Sequence, residues 1–134
     1  MKPGDPIPAL ELPPITKEQL VRYAGASGDF NPIHWDADFA RSSGYDGPIA
    51  HGMLTMAFLG RALTDWAGAS SVVRLKARFK AITRPGDRLT VTGTVVGRNP
   101  AEGGAERVEV ELQATNQDGV VTTAGEATVI TIRG

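Results

Sequence analysis

The chain has 134 residues, long enough for one compact core and too short for two ordinary domains, so one domain over residues 1–134 is expected. With 41% apolar residues, 22% charged residues and a formal net charge of -1, it has a globular make-up and no charge excess that would draw it to nucleic acid or an acidic membrane. It contains no cysteine, which excludes disulfides, thiolate nucleophiles and cysteine-ligated metal centres and leaves the chemistry to oxygen and nitrogen groups.

The stretch from Met1 to Ile7 is broken by proline and charge where a signal peptide needs a continuous apolar run. No segment reaches the ~20 apolar residues of a membrane span, so a cytoplasmic protein without a membrane partner is expected. Pro3, Pro6, Pro8, Pro13 and Pro14 lack the donors of a regular ladder, which limits Ile7 to Leu12 to a short edge strand. Thr16 and Gln19 fit a capping box, and Leu20, Val21, Tyr23 and Ala24 recur at helical spacing until Gly25 offers a stop. Asp36 to Arg41 suggests one or two helical turns, with acids first and a cation last as the helix dipole favours.

His51 to Trp66 carries Met53, Leu54, Ala57, Phe58, Ala62, Leu63 and Trp66 at helical spacing, with Gly68 as terminator. A helix apolar on most sides is expected to be buried. The period then changes: Val73, Leu75, Ala77, Phe79 and Ala81 alternate with Arg74, Lys76, Arg78 and Lys80, the clearest strand in the chain. Arg84 to Asp87 is turn chemistry, Leu89 to Val96 a second strand, and Asn99 to Ala105 a connector rich in turn formers. Arg107 to Thr115 alternates again, Asp118-Gly119 signals a two-residue hairpin, and Val120 to Ile132 is a last strand with Gly125 as its bulge. The order predicts an α+β domain whose antiparallel β-sheet wraps a long central helix.

Between the first two helical segments Asp29, Asn31, His34 and Asp36 fall within eight residues rich in turn formers. Pro32 fixes its own φ and pushes Asn31 out of the α region, while Gly28 permits a tight backbone, so the loop is expected to be rigid. A folded-back turn would set Asp29 and His34 on one cavity, able to hold a water or a substrate hydroxyl between an acceptor and a group near its titration range. Spacing leaves a second reading open, in which Asp29 caps a turn and His34 packs. A second segment, Gly47 to Thr55, leads into the long helix. Free N–H groups at a helix start attract negative charge, and Gly52 offers no side chain to obstruct a substrate carbonyl, which makes it a candidate oxyanion donor. Close helix packing is the competing reason for this glycine, and capping or packing for His51.

Together the two segments resemble the MaoC-like, or R-specific enoyl-CoA hydratase, family of the hotdog superfamily. The resemblance rests on Tyr23 to His34, Asp36, Phe39-Ala40 and Pro48 to Leu54. Asn31 to Asp36 with Ile49 to Met56 is especially similar to the catalytic subunit of the two-subunit mycobacterial 3-hydroxyacyl-ACP dehydratase. Motif identity is confined to about residues 16–66, and the strand half agrees only in pattern.

The resemblance implies a hotdog fold and reversible dehydration of (3R)-hydroxyacyl thioesters to trans-2-enoyl thioesters. It assigns the catalytic pair to Asp29 and His34 and the oxyanion N–H to Gly52, with Asn31 and His51 as candidates for positioning substrate. A serine that some members carry on the central helix is replaced here by Gly60, which puts the shape of the acyl pocket in question. No cofactor is implied, because coenzyme A or phosphopantetheine enters as part of the substrate, whether an acyl-CoA or an acyl-carrier protein. Lys76 and Arg78 could receive its phosphates, or could simply face solvent on a strand. No metal is expected, since His34 and His51 are the only histidines and no spacing suggests a ligand set. Members pair through their sheets, so a homodimer or a heterodimer with a related hotdog subunit is expected. Two alternatives remain: a non-catalytic acyl-binding subunit, and a hotdog thioesterase, which would want an acid on the central helix where none precedes Asp65.

Overall fold

The computed structural model describes residues 2–132. The alternating half of the chain supplies four strands and the N-terminal stretch one, in a five-stranded antiparallel sheet of order β1-β3-β4-β5-β2: β1 (Leu10–Glu11), β2 (Val72–Phe79), β3 (Thr90–Pro100), β4 (Ala105–Thr115) and β5 (Val121–Ile132). Three helices precede β2: α1 (Lys17–Ser27), α2 (Ala37–Ser42) and α3 (Gly52–Ala67). The long α3 packs against β2, β3, β4 and β5. Its Leu54, Phe58, Leu59, Ala62 and Leu63 join Val91, Val95, Val108, Val110, Leu112, Ala114, Ala127 and Val129 of the sheet in one core cluster. This is the expected helix wrapped by a sheet.

The helix starts and stops follow local chemistry. Thr16 caps α1 by accepting from the Gln19 N–H at 3.0 Å, and Asp36 caps α2 through the N–H groups of Asp38 and Phe39. The stop expected at Gly25 lies instead at Gly28, the residue that takes the left-handed conformation with φ 75°. Helix α3 ends at Gly68 as expected, but only one face is buried, and Met53 remains 57% exposed.

Several strand details differ from the sequence pattern. A register shift between Val72 and Arg74 breaks the nine-position alternation and leaves Val73 facing solvent. Strand β3 runs on to Pro100, so the expected connector shrinks to a 3-10 turn at Glu102–Gly104. The Asp118-Gly119 turn is wider than two residues: it closes through Asn116 N–H to the Val120 carbonyl, with the Asn116 side chain accepting from Asp118 and Val120.

Gly125 is not a bulge. It pairs in register with Ala77 and Leu112. A Cβ there would stand 2.8 Å from Leu59 Cδ1 and 3.0 Å from the Lys76 carbonyl, so the glycine is what lets α3 seat on the sheet.

Candidate active site

The corner where α1, the 3-10 turn Pro32–His34 and the start of α3 meet is built mainly by side chains bonded to main chain. Ser27 donates to the Tyr23 carbonyl at 2.7 Å and accepts from the Asp29 N–H at 3.2 Å. Beyond Gly28, Asp29 Oδ1 accepts from the Asn31 N–H at 3.2 Å, and Asn31 Oδ1 caps the 3-10 turn through the Ile33 N–H at 3.2 Å. The Trp35 indole donates to the Phe30 carbonyl at 3.1 Å and closes the loop. Asn31 therefore spends its carbonyl oxygen on loop structure, which is the role its neighbour Pro32 prepares.

His34 is buried, at 7% exposure, and its Nδ1–H donates to the Ile49 carbonyl at 2.7 Å. The Ile49 N–H in turn donates to the Ile33 carbonyl at 3.0 Å, so the partner is itself fixed. In the neutral ring this bond leaves Nε2 as a bare acceptor. That nitrogen lies 3.7 Å from Asp29 Oδ2, beyond direct hydrogen-bond reach, and the Asp29 carboxylate is half open to solvent. Two acceptor atoms, each on a side chain whose other polar atom is already bonded, thus face one small space. A water could donate to both, and a hydroxyl group to either one.

His51 precedes α3 and is 2% exposed. Its Nε2 lies 3.1 Å from the Asp29 carbonyl, which can only accept, so Nε2 carries the proton. Its ring stacks on His34, with centroids 3.6 Å apart and planes at 20°, and meets the edge of Tyr23 at 4.8 Å. Burial lowers its pKa below the ordinary imidazole value, helped by the neighbouring His34 and opposed by the Asp29 carbonyl and carboxylate, so the ring is neutral near pH 7. Its Nδ1 is buried without a hydrogen-bond partner. A ring this enclosed presents little surface to substrate.

Gly52 opens α3, where the first N–H groups have no intrahelical acceptor. Its backbone is not in the left-handed region. A Cβ built on it would meet the Phe79 ring at 3.2 Å, so the glycine makes room for an aromatic side chain. Thr123 donates to Thr55 Oγ1 at 3.0 Å and Thr55 donates to the Gly52 carbonyl at 2.7 Å, a buried chain that anchors the helix start to β5.

Lys76 and Arg78 stand apart from this corner. They alternate with Leu75, which packs under α3 near Gly60, and so lie on the sheet face turned away from the helix. There they border a depression of about 430 Å³ with Thr92, Thr94, Glu111 and Gln113. The alternation that packs the partly buried Leu75 and Ala77 against the core puts the two cations on the face away from α3.

Sequence spacing also gives no hint that His51 joins Asp29 and His34, which the fold brings within 4.8 Å of one another by ligand-type atoms. Zinc would need its donors converging at about 2.0–2.1 Å. The lone pairs of stacked imidazoles lie in nearly parallel planes, and His34 Nδ1 and His51 Nε2 already meet carbonyls, so the trio does not converge on one ion. Ser27, Tyr23, Ile49 and Phe79 are the supporting residues that spacing missed. Only Ser27 leaves a local trace, as a hydroxyl four residues after the carbonyl it bonds.

Comparison with known proteins adds to this geometry. Residues 2–118 match the family described as MaoC like domain. The chain is 36% identical over 119 residues to an (R)-specific enoyl-CoA hydratase of Rhodospirillum rubrum, covering 87% of this chain and 79% of that protein. It is 32% identical to the enoyl-CoA hydratase ChsH3 of Mycobacterium tuberculosis over 84% of this chain but only 37% of that longer protein. Among solved structures, R-hydratase PhaJ1 of Pseudomonas aeruginosa superposes with a TM-score of 0.85 at 26% identity, covering all of this chain and 84% of that one. A MaoC-like dehydratase of Rhodospirillum rubrum superposes at 0.86 and 26%, covering all of this chain and 94% of that one. The architecture they share with this chain is the hotdog.

Proposed function

The chain belongs to the MaoC-like domain family, and from that premise we propose that it is a hydro-lyase that interconverts trans-2-enoyl and (3R)-hydroxyacyl thioesters. The observation that carries this reading is the 3.7 Å gap between Asp29 Oδ2 and His34 Nε2, two acceptors held apart by their own backbone bonds. A water in that gap donates its two hydrogens to them and keeps a lone pair for attack.

In hydration, the water oxygen bonds to C3 as the C2–C3 double bond gives its electron pair toward the thioester. Negative charge develops on the thioester oxygen, and the Gly52 N–H at the start of α3 stabilises it, a contribution commonly worth about 3–4 kcal/mol. One proton of the water passes to the Asp29/His34 pair, and C2 takes a proton from that pair, so hydrogen and hydroxyl add across the double bond with no net proton change. Dehydration runs the same steps in reverse. The adjoining side chains Phe30, Trp35, Met53 and Phe79 are all about half exposed. We infer that a second hotdog chain, identical or related, covers them in the working form.

The test is an ultraviolet assay of enoyl-thioester hydration over a chain-length series, on coenzyme A and carrier-protein substrates, with size-exclusion of the same sample. Loss of the conjugated absorbance without release of free thiol is the expected result. Thiol release would replace this reading with a thioesterase, and no turnover on any substrate or oligomer would leave an acyl-binding subunit.

A further inference from the structure

Beyond the residues assigned to the reaction, His51 is the most heavily engaged side chain of the corner and the one with no place in the proton transfers. It is 2% exposed, so it is no substrate contact. Yet it touches every part that the chemistry needs. Its Nε2–H holds the Asp29 carbonyl at 3.1 Å, its ring lies flat on His34 at 3.6 Å, and its own residue is the one from which α3 and the Gly52 N–H begin. Asp29 is thereby fixed on three sides: N–H to Ser27, carbonyl to His51, and Oδ1 to the Asn31 N–H. Only Oδ2 is left to act.

We propose that His51 is a positioning residue that couples the Asp29/His34 loop to the helix start at Gly52, by tethering the Asp29 main chain and setting the plane of the His34 ring. This rests on the hydratase reading above. Two separate interactions do the work. The hydrogen bond fixes where the carboxylate stands, and the stack, backed by the edge of Tyr23, fixes the direction in which His34 Nε2 points. A charged His51 would keep the Nε2–H bond but disturb the rest: it would set a cation on the His34 ring, and its Nδ1–H would be a second buried donor without an acceptor. The bare, unpartnered Nδ1 is the local cost of keeping Nε2–H on Asp29. A displacement of about 1 Å in such a constellation can lower a rate by about 100-fold, which is the scale on which a tether matters.

Two substitutions separate the two interactions. His51→Phe keeps a ring to stack but has no N–H, whereas His51→Gln offers an amide N–H near the Nε2 position and no stack. In the full-length chain, His51→Phe is expected to lower kcat for enoyl-thioester hydration about 10- to 100-fold with KM within about 2-fold, because the loss is in orientation and not in substrate contact. His51→Gln is expected to recover at least about 3-fold of that kcat. Wild-type kcat in His51→Phe would overturn the proposal, as would a raised KM at unchanged kcat, or a Gln variant no better than Phe.

A measurement on the unmodified chain covers failure to fold and failure of the hydratase reading alike. The ¹⁵N spectrum of this chain is expected to show the Nε2–H tautomer at His51 and, wherever the His34 ring is neutral, the opposite Nδ1–H tautomer there. An Nδ1–H tautomer at His51 would remove the tether and overturn the proposal whether or not the chain turns over an enoyl thioester.

Discussion

The corner around Asp29 and the outer face of the sheet both concentrate charged and polar residues, and they hold them in opposite ways. In the corner each candidate side chain is bonded to main chain: Asp29 by the Asn31 N–H, His34 by the Ile49 carbonyl, His51 by the Asp29 carbonyl. On the outer face the side chains meet one another across or along strands, as Arg74 meets Glu126 and Arg107 meets Glu109, both at 3.2 Å and largely in solvent. A flexible pair in water gains little and fixes little. Main-chain partners are fixed by the fold, so the corner keeps its geometry and the outer face does not need to. Two regions of similar charge density thus differ in the kind of partner that holds their side chains.

The sharpest way to break this contrast is at the two free acceptors. Asp29→Asn retains an oxygen for the Asn31 N–H but loses the carboxylate charge, and His34→Ala removes the second acceptor. Each is expected to lower kcat for crotonyl-thioester hydration about 1000-fold, within the range typical of general acid–base groups, while circular dichroism and the melting temperature stay close to wild type. Either variant retaining full activity would end the assignment of its residue to the reaction.

A smaller effect is expected at Gly52, where the Cβ of an alanine would press on the Phe79 ring at 3.2 Å. The ring is half exposed and able to shift, so the fold should tolerate Gly52→Ala while the helix start moves by a few tenths of an ångström. We expect kcat to drop about 10-fold by misalignment of the N–H. Phe79→Leu in the same chain is expected to restore most of it, the coupling typical of residues in contact. No restoration would mean that the added methyl group obstructs the substrate instead.

Far from the corner, Gly125 tests packing alone. An alanine there would meet Leu59 Cδ1 at 2.8 Å and the Lys76 carbonyl at 3.0 Å, and Leu59 is fully buried with no free direction to move. Overpacking of this kind costs about 1–3 kcal/mol. Denaturant unfolding of Gly125→Ala should show that loss with an unchanged slope, while kcat in native buffer stays within about 2-fold, because α3 is anchored near the site by Thr55 and Thr123. An unchanged midpoint would show that the sheet yields at this point.

What the sequence made legible follows the range of the interactions. Thr16, Asp36 and Asn31 act on N–H groups two or three residues away, so their roles can be read from neighbours. The turn formers Gly28 and Pro32 likewise betray a rigid loop around Asp29 and His34. The helix stop expected at Gly25 falls instead at Gly28, just past Ser27 with its bond back to Tyr23, because a glycine's ability to end a helix does not say which glycine will end it. The stacking of His51 on His34, the Ile49 carbonyl that sets the His34 tautomer and the seat of Leu59 over Gly125 join residues far apart in the chain. No local period encodes them.

Lys76 and Arg78 lie between these cases, and they carry the smallest predicted effect. Alternation correctly separates them from Leu75 and Ala77, but it cannot tell which face of a sheet holds the site. In this fold the helix that begins at Gly52 covers the Leu75 side and leaves the two cations on the other. Lys76 stands opposite Glu126 on β5, and Glu111 borders the same depression, so a phosphate placed there would meet carboxylates as well as cations. Lys76→Glu and Arg78→Glu, singly and together, are therefore expected to leave KM for an enoyl-CoA within about 2-fold at about 0.1 M salt, where exposed charges beyond roughly 10 Å are screened. A KM that rises several-fold, and rises less as salt is added, would put the thioester's phosphates on this face and make the sheet part of the site that the corner otherwise holds alone.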